Sequence, residues 1–405
     1  MSSEVPAGTI SANSRRFLAS FMTLAVLSGI TIGTGRVVTT FYALSIHATS
    51  AQIGFIAAAE AFGKMIVTLP AGFLIYRFGA RRVYSTATFG SMALSLAVPF
   101  MGLWYGVAVM RALVSLCVPF RVVSMNTSFL QRLPDIGSDK AGWYRGAMQL
   151  GVAFLGPTLG GLMVTHTNYW VCYGFISACF AAMALFSRTF LPEQLHEEQR
   201  ERSSLGADLM SMLRDRRIAE TCCIEFMSSA TSMLFTTFII VLAVTAAGLS
   251  SREAIFLVTM QGITSVVALF ILGPMLRARA GKLVYVTAIP AGVVSLALLG
   301  LSHSIYWLSL AAVLLSFSTA LVHLSNVIAL SEASFSKSKV SGLYNLAGML
   351  GGFFGAAVGA VFSATLGLQG LFLAWIPVVV LAVLGCAASR RRDSFNRLDA
   401  VSNEQ

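Results

Sequence analysis

Twelve long apolar stretches, separated by short polar or Pro/Gly breaks, take up most of this 405-residue chain. They run near 17–44, 51–75, 83–102, 105–130, 147–165 and 168–187, then near 218–247, 253–276, 283–301, 305–331, 340–365 and 368–388. A helix crosses the hydrocarbon core of a bilayer with roughly 20 apolar residues, so each stretch is long enough to be a span. Only 11% of the residues are charged, against about 25% in soluble domains, and that much apolar surface cannot be covered in water. A soluble enzyme is therefore excluded. The unbroken run from Phe235 to Ala247 is also unlike the alternating ten-residue strands of an outer-membrane barrel. The expected fold is all-α and integral to the membrane, with twelve transmembrane helices in two six-helix bundles.

The cations set the orientation. With both termini cytoplasmic, 23 of the 28 Lys and Arg residues fall in inner loops and tails, four lie within spans, and Arg252 lies in an outer loop. Cationic loops stay on the cytoplasmic side, which suits a multi-pass protein of a bacterial inner membrane. The first span follows Arg15 and Arg16 but is too long for a cleaved leader and lacks a small-residue cleavage site, so it is expected to be retained. The organisation predicted is an N-tail over 1–16, a bundle over 17–187, a linker over 188–217, a bundle over 218–388 and a C-tail over 389–405. Six spans, a linker and six spans suggest an internal duplication. All six cysteines lie in apolar stretches, as packing residues rather than a disulfide framework.

Two loops carry motifs. The first reads Gly72-Phe-Leu-Ile-Tyr-Arg77-Phe-Gly79-Ala-Arg81-Arg82 after span 2, where Gly79 permits a tight turn. It is echoed by Gly273-Pro-Met-Leu-Arg277-Ala-Arg279-Ala-Gly281-Lys282 after span 8, with Gly79 and Gly281 separated by 202 positions, close to half the chain. Span 5 carries Gly151, Gly156, Pro157, Gly160 and Gly161, a small-residue face beside a helix-bending proline. Its counterpart, span 11, has Gly348, Gly351, Gly352, Gly355 and Gly359.

The first loop resembles the signature of the major facilitator superfamily, Gly-x-Leu-x-Asp-Arg-x-Gly-x-Arg/Lys-Arg/Lys, at Gly72, Leu74, Arg77, Gly79, Arg81 and Arg82. It departs at Tyr76, where the family has the acid that helps latch the inner gate; Asp135 or Asp139 is a candidate replacement. The Gly-Pro-x-x-Gly-Gly string of span 5 is similar to the motif that this superfamily associates with antiporters and drug-type exporters. The resemblance covers nearly the whole chain. It implies a secondary transporter whose spans 1, 4, 7 and 10 line a central cavity.

A charge at the bilayer centre costs roughly 2.5–3.5 kcal/mol on insertion scales, so each one calls for a partner or a function. The candidates are Arg36 in span 1, Glu60 and Lys64 in span 2, Arg111 and Arg121 in span 4, and Glu225 in span 7, joined by His323 and Asn326 in span 10. Glu60 and Lys64, four apart on one face, are either a neutralised pair or part of proton coupling. Glu225 sits in a polar run with Ser228, Ser229 and Thr231, as a proton carrier or as the neutraliser of an arginine; both readings stay open. Arg111 resembles the superfamily's span-4 arginine, implicated in proton coupling, with Ser115 at the usual glycine. Arg121 lies about 15 Å further along the helix. Four cations against two acids leave an excess of positive charge, and guanidinium forks suit carboxylate or phosphate. The expected substrate therefore bears acidic groups, of organic-anion or siderophore type. Arg36, Arg111, Arg121, His323 and Asn326 are the expected binding residues, and Glu60 and Glu225 the proton-coupling ones.

No His/Cys/Asp cluster has metal-ligand spacing and no Gly-x-x-x-x-Gly-Lys-Ser/Thr loop is present, so neither metal, ATP nor another cofactor is expected. The net charge of +11 follows from the inner loops rather than from a nucleic-acid surface. The expected function is proton-coupled export of a small metabolite or drug-like compound by a monomer. The alternatives are proton-coupled import of an organic anion and a non-transporting membrane sensor or partner. A membrane-embedded enzyme would need a catalytic constellation at the interface, which the sequence lacks.

Overall fold

In a bilayer no water is present to satisfy backbone N–H and C=O groups, so a spanning segment must satisfy its own as a helix. The computed structural model describes residues 12–136, 143–188, 212, 214–275, 284–331 and 337–403, and the described residues are helices joined by short turns. Among the described residues, ten helices are long and apolar enough to cross a membrane, and Val286–Leu301 is a shorter apolar one. The last of the ten, Gly342–Cys386, is 45 residues long, roughly twice what a hydrocarbon core of about 30 Å requires. It belongs to the run Lys337–Asn403, which is broken at Gly367 (φ 70°, ψ 174°), a backbone conformation suited to glycine. The two arms around Gly367 are the stretches expected as spans 11 and 12. Val286–Leu301 falls in the stretch expected as span 9; among the described residues, length and composition alone qualify ten spans against the twelve expected.

The contacts divide the chain into two units: Met1–His47 with Phe62–Gln199, and Ala48–Ala61 with Arg200–Gln405. In the first, span 1 (Ala12–Ser45) packs on spans 5 and 6, and span 3 (Ala80–Ala97) packs on spans 4 (Trp104–Ile136) and 6 (Tyr169–Ser187). In the second, span 7 (Arg216–Val241) packs on the Lys337–Asn403 run. Span 9 there packs on span 10 (Ile305–Ser331) and on the same run, and span 8 (Ser251–Met275) packs on span 10. The linker expected over 188–217 lies outside the described residues except at 188, 212 and 214–217; so do Asp139 and the loop from Arg277 to Lys282 that echoes the first motif.

Helix starts are fixed by side chains. Span 2 follows a capping box in which the Thr49 N–H donates to Gln52 Oε1 (2.9 Å) and the Gln52 N–H to Thr49 Oγ1 (3.3 Å). Before span 8, the Ser250 N–H donates to Glu253 Oε2 (2.8 Å) and the Glu253 N–H to Ser250 Oγ (3.3 Å). The two boxes lie 201 positions apart. Asn168 caps span 6 through the Val171 N–H (3.0 Å), and Asp215 caps span 7 through the Arg217 N–H (2.9 Å). Gly79 turns span 2 into span 3 at φ 82°, a conformation that puts a Cβ against the backbone. Gly79→Ala is expected to cost about 1–2 kcal/mol, read as a lower thermal midpoint of the detergent-solubilised protein.

The closest helix approaches repeat with the same spacing. Span 5 is helical over Trp143–Leu150, widens into a π turn over Gly151–Leu155 and continues as Gly156–His166. The wide turn gives Pro157, which has no N–H to donate, its place in the rod. The glycines on this rod meet span 1 backbone to backbone. Gly151 faces the Val26 carbonyl, and a Cβ on Gly156 would stand 2.8 Å from Gly33 Cα and 2.9 Å from the Ile30 carbonyl. Thr34 Oγ1 adds a hydrogen bond to the Gly156 carbonyl (2.9 Å). In the second unit Gly351 faces the Phe226 carbonyl and Gly355 the Ala230 carbonyl. Phe226 and Ala230 lie 200 positions after Val26 and Ile30, and Gly351 lies 200 after Gly151. The two units thus share one helix-pairing device, built on residues too small to keep backbones apart.

Candidate functional site

In the second unit, three helices bring polar side chains to one carboxylate. Glu225 stands on span 7, nine residues after Arg216 and beyond the first turns of the helix. Its Oε2 accepts from the Tyr344 hydroxyl on span 11 (2.5 Å) and from Asn326 Nδ2 on span 10 (3.1 Å). Its Oε1 accepts from Ser229 Oγ one turn further on (3.3 Å). The Tyr344 oxygen also lies 2.9 Å from His323 Nδ1. Asn326 and Tyr344 are buried, and Glu225 and His323 are half-buried. Gly348, one turn after Tyr344, leaves room for the carboxylate: a Cβ there would lie 3.4 Å from Glu225 Oε1 and 3.3 Å from Ser229 Oγ. The cluster is braced nearby by the Trp375 Nε1–H, which donates to Thr231 Oγ1 on span 7 (2.9 Å).

Chemically this is a carboxylate surrounded by neutral donors. Among the described residues no Lys or Arg lies within ion-pair distance of Glu225, so the partners it finds are a phenol, an amide and a hydroxyl. Along span 7, Cys223, Ser228 and Thr231 instead line a small pocket of about 50 Å³, shared with Ser318, Thr319 and Cys386 and otherwise apolar.

The first unit holds the cations expected to bind substrate. Arg111 is buried, and its Nη1 lies 3.2 Å from where a Cβ on Gly35 would stand, so the absence of a side chain at Gly35 accommodates the guanidinium. Arg36 follows directly on span 1 and is half-buried, with its carbonyl accepting from Thr40 Oγ1 (3.0 Å). Arg121 is 1% exposed. Its guanidinium lies 4.6 Å from the centre of the Phe180 ring on span 6, a cation–π contact. Among the described residues, Arg121 Nε and Nη1, the hydroxyl of fully buried Tyr84 on span 3, and Ser124 Oγ one turn along span 4 have no hydrogen-bond partner. Among the described residues Arg121 has no carboxylate partner either.

The structure thus regroups the expected site residues. His323 and Asn326, expected to bind substrate, stand with Glu225, expected to carry a proton. Arg111 on span 4 reaches Gly35 on span 1, next to Arg36 in the chain, and Arg121 is enclosed among spans 3, 4 and 6. Glu60 is buried and Lys64 half-buried, on one helix four residues apart. Of the loop motif, Arg77 is exposed beside the Phe78 ring (5.4 Å), Gly79 makes the turn, Arg81 is half-buried and Arg82 exposed, while Gly72 lies within the helix Ser50–Phe78. Gly160 and Gly161 are buried, Gly160 against Thr34. Tyr344 was not anticipated. Its signal was available in the repeat: Tyr144 and Tyr344, like Asn126 and Asn326, lie 200 positions apart. In the first unit the Tyr144 hydroxyl donates to the Val122 carbonyl (3.4 Å) and to Met148 Sδ (3.7 Å), and Ala25 stands where the second unit has Glu225.

Residues 16–224 match the family model described as Major Facilitator Superfamily. The multidrug efflux pump Tap of Mycobacterium tuberculosis is 31% identical over 188 residues, 42% of this chain and 44% of the relative. Tap of Mycobacterium bovis matches to the same extent. The match spans less than half the length of these relatives. Among solved structures, the nucleoside transporter NupG superposes with a TM-score of 0.74 at 16% identity, covering 92% of this chain and 98% of NupG. A bacterial homolog of the human lysosomal transporter Spinster, in an inward-facing and occupied conformation, gives 0.74 at 13% identity, covering 95% and 98%. At these identities the likeness is one of fold.

Proposed function

This chain belongs to the Major Facilitator Superfamily, and from that premise we propose that it is a proton-coupled exporter of small acid-bearing metabolites or drug-like compounds, working by alternating access. The single observation that carries the coupling is Glu225, a carboxylate inside a membrane span, held by neutral donors rather than by a cation. Export is supported by the name of the Mycobacterium relatives, multidrug efflux pump, and by the Gly156-Pro157-Thr-Leu-Gly160-Gly161 string of span 5. An acidic substrate, of organic-anion or siderophore type, is supported by Arg121, a buried guanidinium with two unpartnered nitrogens. The distribution of its cations supports a bacterial inner membrane with both termini cytoplasmic.

Metabolite profiles of cells with and without the protein test this reading. Loss of the protein should leave an acid-bearing compound enriched inside cells and depleted in the medium. Failure of the mutant to take such a compound up would instead establish import. Arg121→Met separates binding from folding. Removing a buried cation that has no carboxylate partner relieves a desolvation cost, so the thermal midpoint should hold or rise. Export of the compound so identified should fall at least about tenfold, equivalent to about 1.4 kcal/mol of lost interaction. Undiminished export by this variant removes the acidic-substrate assignment.

A further inference from the structure

The reading of Glu225 as the coupling group leaves open how a proton reaches it, and the hydrogen-bond directions in the cluster answer that. Tyr344 has one hydroxyl proton, and the 2.5 Å bond to Glu225 Oε2 uses it. At His323 Nδ1, 2.9 Å away, the tyrosine oxygen must then accept, so Nδ1 carries a hydrogen. The chain runs His323 Nδ1–H to Tyr344 O–H to Glu225, every donor aimed toward the carboxylate. Oε2 is also occupied by Asn326 and Oε1 by Ser229. Of these three donors only the phenol is linked on its far side to a second titratable group. The Cys222 thiol of the same helix also lies near enough to feel the charge of Glu225.

We propose that Tyr344 is the bridge of a two-step proton relay and His323 the port through which Glu225 is loaded and unloaded. The loading step starts from the His323 imidazolium. The Tyr344 O–H bond breaks as its proton passes to Glu225 Oε2, and the Nδ1–H bond breaks as that proton passes to the Tyr344 oxygen. The imidazole is left neutral with its hydrogen on Nε2, the tyrosine is regenerated, and Glu225 becomes a carboxylic acid. One proton has moved and no charge is left on the phenol. Reversal unloads the acid to His323, which is half-buried rather than sealed and can exchange with water. Tyr344 and His323 are positioning and transfer residues for the coupling proton, distinct from groups that hold substrate.

The test needs no substrate. The full chain in lipid vesicles is subjected to a rapid pH drop, and the carbonyl stretch of the newly formed carboxylic acid is followed by time-resolved infrared spectroscopy. The band belonging to Glu225 is the one missing in Glu225→Gln. In His323→Gln, which leaves the tyrosine bond to the carboxylate in place, the band should reach full amplitude at least about tenfold more slowly, the low end of what a positioned proton donor contributes. Tyr344→Phe should slow it similarly. Imidazole added to His323→Ala should restore part of the rate, which a purely structural histidine would not permit. An unchanged rate in His323→Gln overturns the relay while leaving Glu225 as the coupling group. Absence of any band that depends on Glu225 overturns the coupling reading itself. Should Tyr344→Phe fail to fold, the two histidine variants carry the test alone.

Discussion

Gly351→Val should be recovered as misfolded protein or not at all, whereas Gly352→Val, one residue away, should fold and melt as the parent does. The contrast is one of geometry. A Cβ on Gly351 would overlap the Phe226 carbonyl and stand 2.9 Å from its carbon, both backbone atoms that cannot rotate aside. A Cβ on Gly352 meets nothing within 4 Å. Overpacking costs about 1–3 kcal/mol where side chains can shift, and a clash with backbone belongs at or above the top of that range. Because the same approach joins Gly151 to Val26, Gly151→Val should behave like Gly351→Val. Yield of monodisperse protein on size exclusion, with thermal midpoints, reads all three. Equal behaviour of the 351 and 352 variants would contradict the packing described.

Glu225→Gln should abolish export driven by a pH gradient while leaving exchange of substrate across the membrane intact. Gln keeps an oxygen for the Tyr344 hydroxyl and nearly the same volume, so the helices remain in register, but it cannot take up or release a proton. Net transport coupled to protons requires that change of charge; one-for-one exchange does not. The expected loss is at least about a hundredfold in the driven rate, a barrier increase of about 2.7 kcal/mol, with the exchange rate within about twofold of the parent's by the same relation. Both rates are measured in inside-out vesicles with the compound identified by metabolite profiling. Loss of exchange together with driven transport would make Glu225 a substrate ligand or a structural group instead.

Much of this architecture is readable from the chain because lipid imposes simple rules. Apolar length marks the spans, and Gly79 marks a turn closed at a positive φ. The glycines of spans 5 and 11 announced close approaches, and the structure gives them their partners in spans 1 and 7. The site was legible by residue type but not by grouping. Span numbering assigned His323 and Asn326 to substrate and Glu225 to protons, whereas they share one cluster, because periodicity along one helix says nothing of which face a neighbouring helix presents. Arg121 reads in sequence as another cavity cation; its enclosure against Phe180 depends on three helices at once. Tyr344 is an ordinary aromatic in a glycine-rich span until aligned with Tyr144, 200 positions earlier. The repeat also shows what makes the second unit special. The first sets Gly29 against the Met148 carbonyl and the second sets Ser229 against Gly348, an exchange that opens room beside Glu225 for its carboxylate.

In the proposed mechanism the charge state of one carboxylate in the second unit, Glu225, is tied to substrate movement. Proton and substrate fluxes recorded together in vesicles holding the unaltered protein test that tie most directly. With a pH gradient imposed and the exported compound added, the gradient should collapse faster in step with substrate movement, and should not respond in Glu225→Gln. Substrate moving at full rate with no accompanying proton flux in the unaltered protein would contradict it.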